Sequence, residues 1–207
     1  MLFRSDSAVR EMYERQQRAW GYVPNYAKSF SHRPEVMARW GQLLAELRRP
    51  LDDRTFELVT FAAAHELKNT SCSLAHGNQL TPFFSNEEIC AIADQQTVES
   101  VTDAEQEMMR FARKVARDAS TVTAADVQRL KDQGLCDADV FDIAAAVAGR
   151  AFFTKILDAV GSLPDAGFMK LDEDFRKQLT VGRPIDTAAD EVMTDRKSTR
   201  LNSSHRL

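Results

Sequence analysis

The sequence predicts an all-α fold, a bundle of several helices. Only eight glycines and six prolines occur among its 207 residues, which is fewer than average usage and leaves few positions for turns between strands. Apolar residues recur every three or four positions in one segment after another, as on the buried face of a helix. No segment alternates cleanly enough between apolar and polar residues to predict a strand.

The first two predicted helices flank a loop. Residues 6–20 carry a single apolar stripe, and the sequence GYVPN at 21–25 ends this helix because the residue before a proline is disfavoured in the helical region. A loop is expected from there to Pro34. Proline suits the first turn of a helix, and apolar residues at helical spacing continue until Pro50.

The next two helices carry the most informative residues of the chain. Residues 53–67 are apolar around most of the helical circumference, which predicts a central helix buried inside the molecule. Asn69, Thr70 and Ser71 are all capable of capping the start of a following helix over residues 72–80.

The second half of the chain predicts four more helices, and the first three have a recognisable start. Capping-box patterns and a Thr-Asp pair mark the first three, and Gly134 suits the left-handed turn that ends the third. These starts lie at residues 85–88, 102–103 and 123–126, and the longest helix covers 137–160.

We divide the chain into a helical domain over residues 6–163, a peripheral arm over 164–194 and a non-native tail over 195–207. The arm is inferred from a polar composition interrupted by glycine and proline. Residues 195–205 read DRKSTRLNSSH, which is the codon-by-codon translation of a common sequencing adapter, and residues 1–5 match its opposite strand more briefly. Such segments are excluded from structural interpretation.

Composition limits the classes of function. With 43% hydrophobic and 28% charged residues the chain resembles ordinary globular proteins, and its formal charge of −4 gives no reason to bind nucleic acid or an anionic membrane. No apolar run reaches the roughly 20 residues that span a bilayer. Three widely spaced cysteines favour reduced thiols, and a cytoplasmic location is expected.

Cys72 and His76 form the main candidate site. They lie four positions apart, so a helix places both side chains on one face, about 6 Å apart. If Asn69 is the cap, Cys72 falls in the first turn, where the helix dipole favours a thiolate with a pKa well below the usual ~8.5. Glu57 on the central helix can orient the imidazole or hold a proton.

Less specific interpretations of these residues stay open. A lone cysteine is frequently a buried, inert side chain. Cys90, in a predicted helix, and Cys136, in the turn after Gly134, are interpreted as structural. The sequence His65-Glu66 begins like a zinc-protease helix, but Asn69 stands where the second histidine should be. No metal and no cofactor are therefore predicted.

Residues 21–160 resemble the carboxymuconolactone decarboxylase and alkylhydroperoxidase D superfamily. This resemblance implies an all-α bundle that assembles into homo-oligomers. In the hydroperoxidase branch a glutamate precedes a Cys-x-x-Cys-x-x-x-His motif, and the second cysteine, the histidine and the glutamate form a proton relay. Glu57, Cys72 and His76 occupy those three positions with matching spacing.

The sequence departs from the family at Asn69, which replaces the first cysteine of the motif and removes its intramolecular disulfide. The leading expectation is a one-cysteine peroxidase that reduces a hydroperoxide through Cys72 and is restored by an external thiol. Two alternatives remain: an acid–base enzyme that uses His76 and Glu57 on an organic acid or lactone, and a non-catalytic helical oligomer.

Overall fold

The computed structural model describes residues 6–187, and within them the chain forms ten α-helices and no β-strand. This confirms the all-α prediction. The helices are α1 Asp6–Trp20, α2 Asn25–Ser29, α3 Pro34–Arg48, α4 Asp53–Glu66, α5 Thr70–Gln79, α6 Asn86–Ala93, α7 Asp103–Asp118, α8 Ala124–Asp132, α9 Asp137–Ala159 and α10 Glu173–Leu179. None of these helices is long and apolar enough to cross a membrane.

Helix α4 is the centre of the bundle, as its composition predicts. Nine consecutive residues, 56–64, are buried, and the helix packs against α5, α7 and α9. Asp52 caps its start by accepting a hydrogen bond from the backbone N–H of Thr55 at 2.8 Å. Phe61 is completely buried, and truncation of such a side chain to alanine typically costs about 3–5 kcal/mol of stability.

The segment predicted as a loop between α1 and α3 contains α2 and a short 3₁₀ turn. Pro24 stands at the N-cap of α2, so the proline that ends one helix also precedes the next. Ala27 and Phe30 are buried, and the Phe30 ring stacks on Phe153 at 5.8 Å between centroids. This packing against α9, rather than local periodicity, fixes so short a helix.

The described part of the predicted peripheral arm contributes to the core. Phe175 and Leu179 on α10 are buried, and α10 packs against α5 and α6. A Cβ atom on Gly77 would lie 2.4 Å from Leu179, so the absence of a side chain there lets α10 approach α5. Residues 1–5 and 188–207, which include both adapter-like segments, lie outside the described residues.

Candidate active site

Asn69 organises the start of α5. Its side-chain oxygen accepts a hydrogen bond from the backbone N–H of Cys72 at 2.9 Å, which makes it the N-cap that the sequence allowed. Its amide nitrogen donates to Asp158 on α9 at 3.0 Å. Asn69 thus joins the two helices that hold the site, in the position where the hydroperoxidase motif has a cysteine.

Cys72 and His76 line one cavity of about 180 Å³. It lies between α5, α9 and the segment around α2, and loop residues after α9 complete its wall. The lining is largely aromatic and apolar, with Trp20, Tyr22, Tyr26, Phe153, Leu157 and Phe168 among its members. Cys72 and His76 are predicted to share one face of a helix, and in the structure both side chains border this cavity.

His76 is hydrogen-bonded to Glu57. The distance from His76 Nδ1 to Glu57 Oε2 is 2.6 Å, and both side chains are largely buried. A carboxylate only accepts hydrogen bonds, so Nδ1 carries the proton and donates a hydrogen bond to Glu57. The other ring nitrogen, Nε2, is then unprotonated. The half-exposed Arg48 lies 3.9 Å from the other Glu57 oxygen.

The imidazole is neutral near pH 7. Burial, with the positive charge of Arg150 as a second cause, lowers the pKa of His76 to about 4, although Glu57 acts in the opposite direction. A neutral imidazole with a free Nε2 can accept a proton. The resting pair is therefore arranged as a base supported by a carboxylate.

The polar partner of the Cys72 sulfur is Arg150. Arg150 Nη1 donates to Sγ at 3.8 Å, and the guanidinium also faces the Phe153 ring at 6.0 Å. Burial raises the pKa of the Cys72 thiol, although Arg150 acts to lower it. The sequence-based expectation of a lowered pKa is therefore wrong for the resting protein, because desolvation outweighs the helix start and the nearby cation.

Arg150 is a site residue that sequence reasoning missed. It lies on α9, 78 positions after Cys72. It is a charged residue within the buried face of a helix whose neighbours Val147 and Phe153 belong to the core. A charge at such a position was the available signal, because charged residues are almost never buried without a partner.

The structure separates the other cysteines from the site. Cys90 is partly buried and borders a different groove, together with Asp94 and Asp174. Cys136 is exposed at the start of α9. Within residues 6–187, no group of three or more His, Cys, Asp or Glu side chains is arranged to hold a metal ion.

Comparison with known proteins assigns the fold. No protein-family model matches the chain, and a search of curated proteins finds no match. Solved structures do match. An alkylhydroperoxidase AhpD core from Ralstonia eutropha JMP134, an uncharacterized peroxidase-related protein, is 24% identical over 86% of this chain and 92% of its own, with a TM-score of 0.63. This chain has the AhpD-like fold.

Two further structures extend the comparison. A peroxidase-related protein from Silicibacter sp. TM1040 shares 18% identity over 82% of this chain and 91% of its own, with a TM-score of 0.63. The debrominase Bmp8, as a cysteine-to-alanine variant in complex with 2,3,4-tribromopyrrole, shares 15% identity over 86% and 95%, with a TM-score of 0.67. The AhpD-like fold is thus found in proteins described by different activities.

Proposed function

We propose that this protein is a member of the AhpD-like family and a thiol-dependent peroxidase that reduces a hydroperoxide through Cys72. One observation carries the proposal: a buried cysteine borders the same cavity as a neutral imidazole supported by a carboxylate. The cysteine supplies a nucleophile and His76 supplies a base, which are the two groups that thiol chemistry requires.

The first step is transfer of the thiol proton to His76. The proton passes from Sγ to Nε2 within the cavity that both side chains line. Glu57 compensates the resulting imidazolium through Nδ1, and Arg150 compensates the thiolate at Sγ. Each new charge therefore meets an opposite charge already in place, which reduces the cost of forming the ion pair in a buried site.

The thiolate then attacks the terminal oxygen of the hydroperoxide. A sulfur–oxygen bond forms, the oxygen–oxygen bond breaks, and the alkoxide that leaves takes the proton held by His76. The products are a sulfenic acid on Cys72 and an alcohol, so the sulfur is oxidised by two electrons and the peroxide is reduced by two.

Regeneration requires a reductant from outside the chain. Asn69 stands where a resolving cysteine would lie, and neither Cys90 nor Cys136 lines the cavity. Two molecules of a small external thiol restore the enzyme: the first forms a mixed disulfide and releases water, and the second releases Cys72 as a disulfide forms between the two.

The test is hydroperoxide consumption with a dithiol reductant in excess. Cys72→Ser is expected to abolish turnover above the uncatalysed rate. Cys90→Ser is the matched control, since it removes a partly buried cysteine outside the cavity, and it is expected to retain full activity. Unchanged turnover in Cys72→Ser would refute the proposal.

An acid–base enzyme acting on an organic acid or lactone is the second candidate. The pairing of His76 with Glu57 favours it, because this pair is complete without the sulfur. On this hypothesis Cys72→Ser keeps turnover of a carboxylated lactone while His76→Gln loses it. Absence of residue-dependent turnover in both assays would favour a non-catalytic helical oligomer.

We also propose that the chain forms a homo-oligomer. Leu43, Phe141 and Phe152 are 51%, 70% and 43% exposed, and large exposed apolar side chains of this kind are suited to an interface. Light scattering would show a single mass above that of one chain, and a monomer would contradict this proposal. The cytoplasmic location remains a prediction.

A further inference from the structure

Arg150 is a buried cation that has no carboxylate partner in the described part of the chain. Only 5% of its surface is exposed, and Cys72 Sγ is the one hydrogen-bond acceptor that its guanidinium has among residues 6–187. Its Nε atom is buried and has no hydrogen-bond partner among the residues that the structure describes. By contrast, the comparably buried Arg113 donates a hydrogen bond to the carbonyl oxygen of Ile92 at 2.9 Å and borders a different groove.

A buried guanidinium in such an arrangement lowers the stability of the protein unless an anion binds next to it. A guanidinium has five N–H donors and stays protonated, and a buried charge without a counter-charge is strongly destabilising. The sulfur supplies a weak acceptor and no charge while the thiol is protonated, and burial favours that protonated form. While the thiol is protonated, an anion that occupies the cavity is the counter-charge that Arg150 can pair with.

The cavity walls indicate the size and the aromatic character of a molecule that could bind there. Tyr26 and Phe153 meet edge to face at 5.6 Å between centroids, and both line the cavity with Trp20 and Phe168. An engineered cavity of about 150 Å³ in another protein holds benzene. A cavity of about 180 Å³ therefore accommodates one aromatic ring with a small substituent.

Asp165 limits the charge of the occupant. It is the acidic side chain among the cavity-lining residues, and its Oδ1 accepts the backbone N–H of Asn25 at 2.7 Å. One anionic group can pair with Arg150, whereas a second would meet the Asp165 carboxylate. The occupant should therefore carry a single negative charge.

We propose that the cavity binds a small aromatic monoanion, with its carboxylate paired to Arg150 and its ring against Tyr26 and Phe153. This deepens the proposed function, and rests on it in one respect: the substrate of Cys72 is then a hydroperoxide that carries an acid group. The binding itself does not require catalysis. Benzoate and its neutral isostere benzamide are suitable probes.

The experiment is calorimetric titration of the reduced full-length protein with each probe, in the absence of peroxide. Benzoate is expected to bind about tenfold more tightly than benzamide, because charge-assisted hydrogen bonds are about twice as strong as neutral ones. Arg150→Met should reduce benzoate affinity to that of benzamide, and Arg150→Lys should retain part of the preference. Arg113→Met is the matched control and should leave the preference unchanged.

The inference remains testable if the Arg150→Met variant fails. If Arg150→Met does not fold, as judged by circular dichroism, the ratio of the two probes on the wild-type protein decides the question. Equal affinities, or no binding of benzoate at millimolar concentration, would overturn the inference. A preference for benzoate in a protein whose Cys72→Ser variant still consumes peroxide would preserve the inference and refute the proposed function.

Discussion

Cys72, His76 and Arg150 line one cavity, and they belong to two pairs of side chains that differ in how fully their hydrogen bonds and charges are matched. Glu57 and His76 form a short hydrogen bond between an acceptor and a donor that match. Cys72 Sγ and Arg150 Nη1 lie 3.8 Å apart, so a neutral thiol faces a cation that forms no ion pair with a carboxylate of residues 6–187. The first pair is complete at rest, and the second pair becomes complete when the thiol loses its proton or an anion enters.

The contrast between the two pairs shows which charges stabilise the state that follows proton transfer. Moving one proton from Cys72 to His76 gives the buried cation its counter-charge and places a positive charge beside Glu57. Both pairs are then ion pairs, in a cavity where such charges interact strongly. The resting thiol is not activated by itself, and the reactive form depends on both pairs.

Among the variants that keep both the nucleophile and the base, removal of the Glu57 charge should have the largest effect. Glu57→Gln can still accept the hydrogen bond from His76 Nδ1, but it leaves an imidazolium uncompensated. We expect peroxide turnover to fall about 10²–10⁴-fold, the range that a positioned base typically contributes. Steady-state kinetics at pH 7 measures the loss.

Glu66→Gln is the control for this prediction. Glu66 lies on the same helix and pairs with Arg117 near the surface. It should keep full activity, and equal losses in the two variants would show that charge on α4, rather than the pair with His76, matters.

Stability should depend on pH through His76. Its pKa is about 4 in the folded protein and about 6.5 in the unfolded chain, so the unfolded state binds the proton more readily between these values. The free energy of unfolding is therefore highest above pH 6.5, and this residue lowers it by about 3 kcal/mol as the pH falls towards 4. Urea unfolding measured across this range checks the slope.

His76→Gln removes the titrating group and should flatten the pH dependence of unfolding in that window. The comparison isolates His76 from other groups that titrate there, such as His65, whose pKa burial also lowers. Identical slopes in the two proteins would mean that His76 is not held neutral by the fold.

The smallest expected effect concerns the helix cap. Asn69→Ala removes the acceptor for the N–H of Cys72 and the contact with Asp158, and should cost about 1 kcal/mol of stability. It should also change the rate at which a thiol reagent labels Cys72. Ser85→Ala removes the cap of α6 at a similar cost and should leave that rate unchanged.

Local signals explain why much of the molecule is predictable from sequence. The capping boxes at Ser85 and Thr123 and the cap at Asn69 involve residues three positions apart, and all of them form. Glu57 and His76 are found because the resemblance to a motif places them together, and the structure brings them into contact. Each of these features depends on one helix or on two that are adjacent in sequence.

Features that depend on distant segments escape sequence reasoning. Arg150 contacts Cys72 although it lies 78 positions later in the chain. Helix α10 has only seven residues, too few to display a helical period. The direction of the Cys72 pKa shift is the clearest case. The helix start is visible in sequence and favours a thiolate, whereas the packing that buries the sulfur is not visible and dominates.

Trapping of the oxidised sulfur tests the central claim most directly. The reduced protein is exposed to one equivalent of hydroperoxide with a sulfenic-acid trap such as dimedone, and the adduct is located by mass spectrometry. We predict an adduct on Cys72 that forms in the wild-type protein and is strongly reduced in Glu57→Gln. An adduct confined to the exposed Cys136, or none at Cys72, would contradict the assignment of Cys72 as the nucleophile.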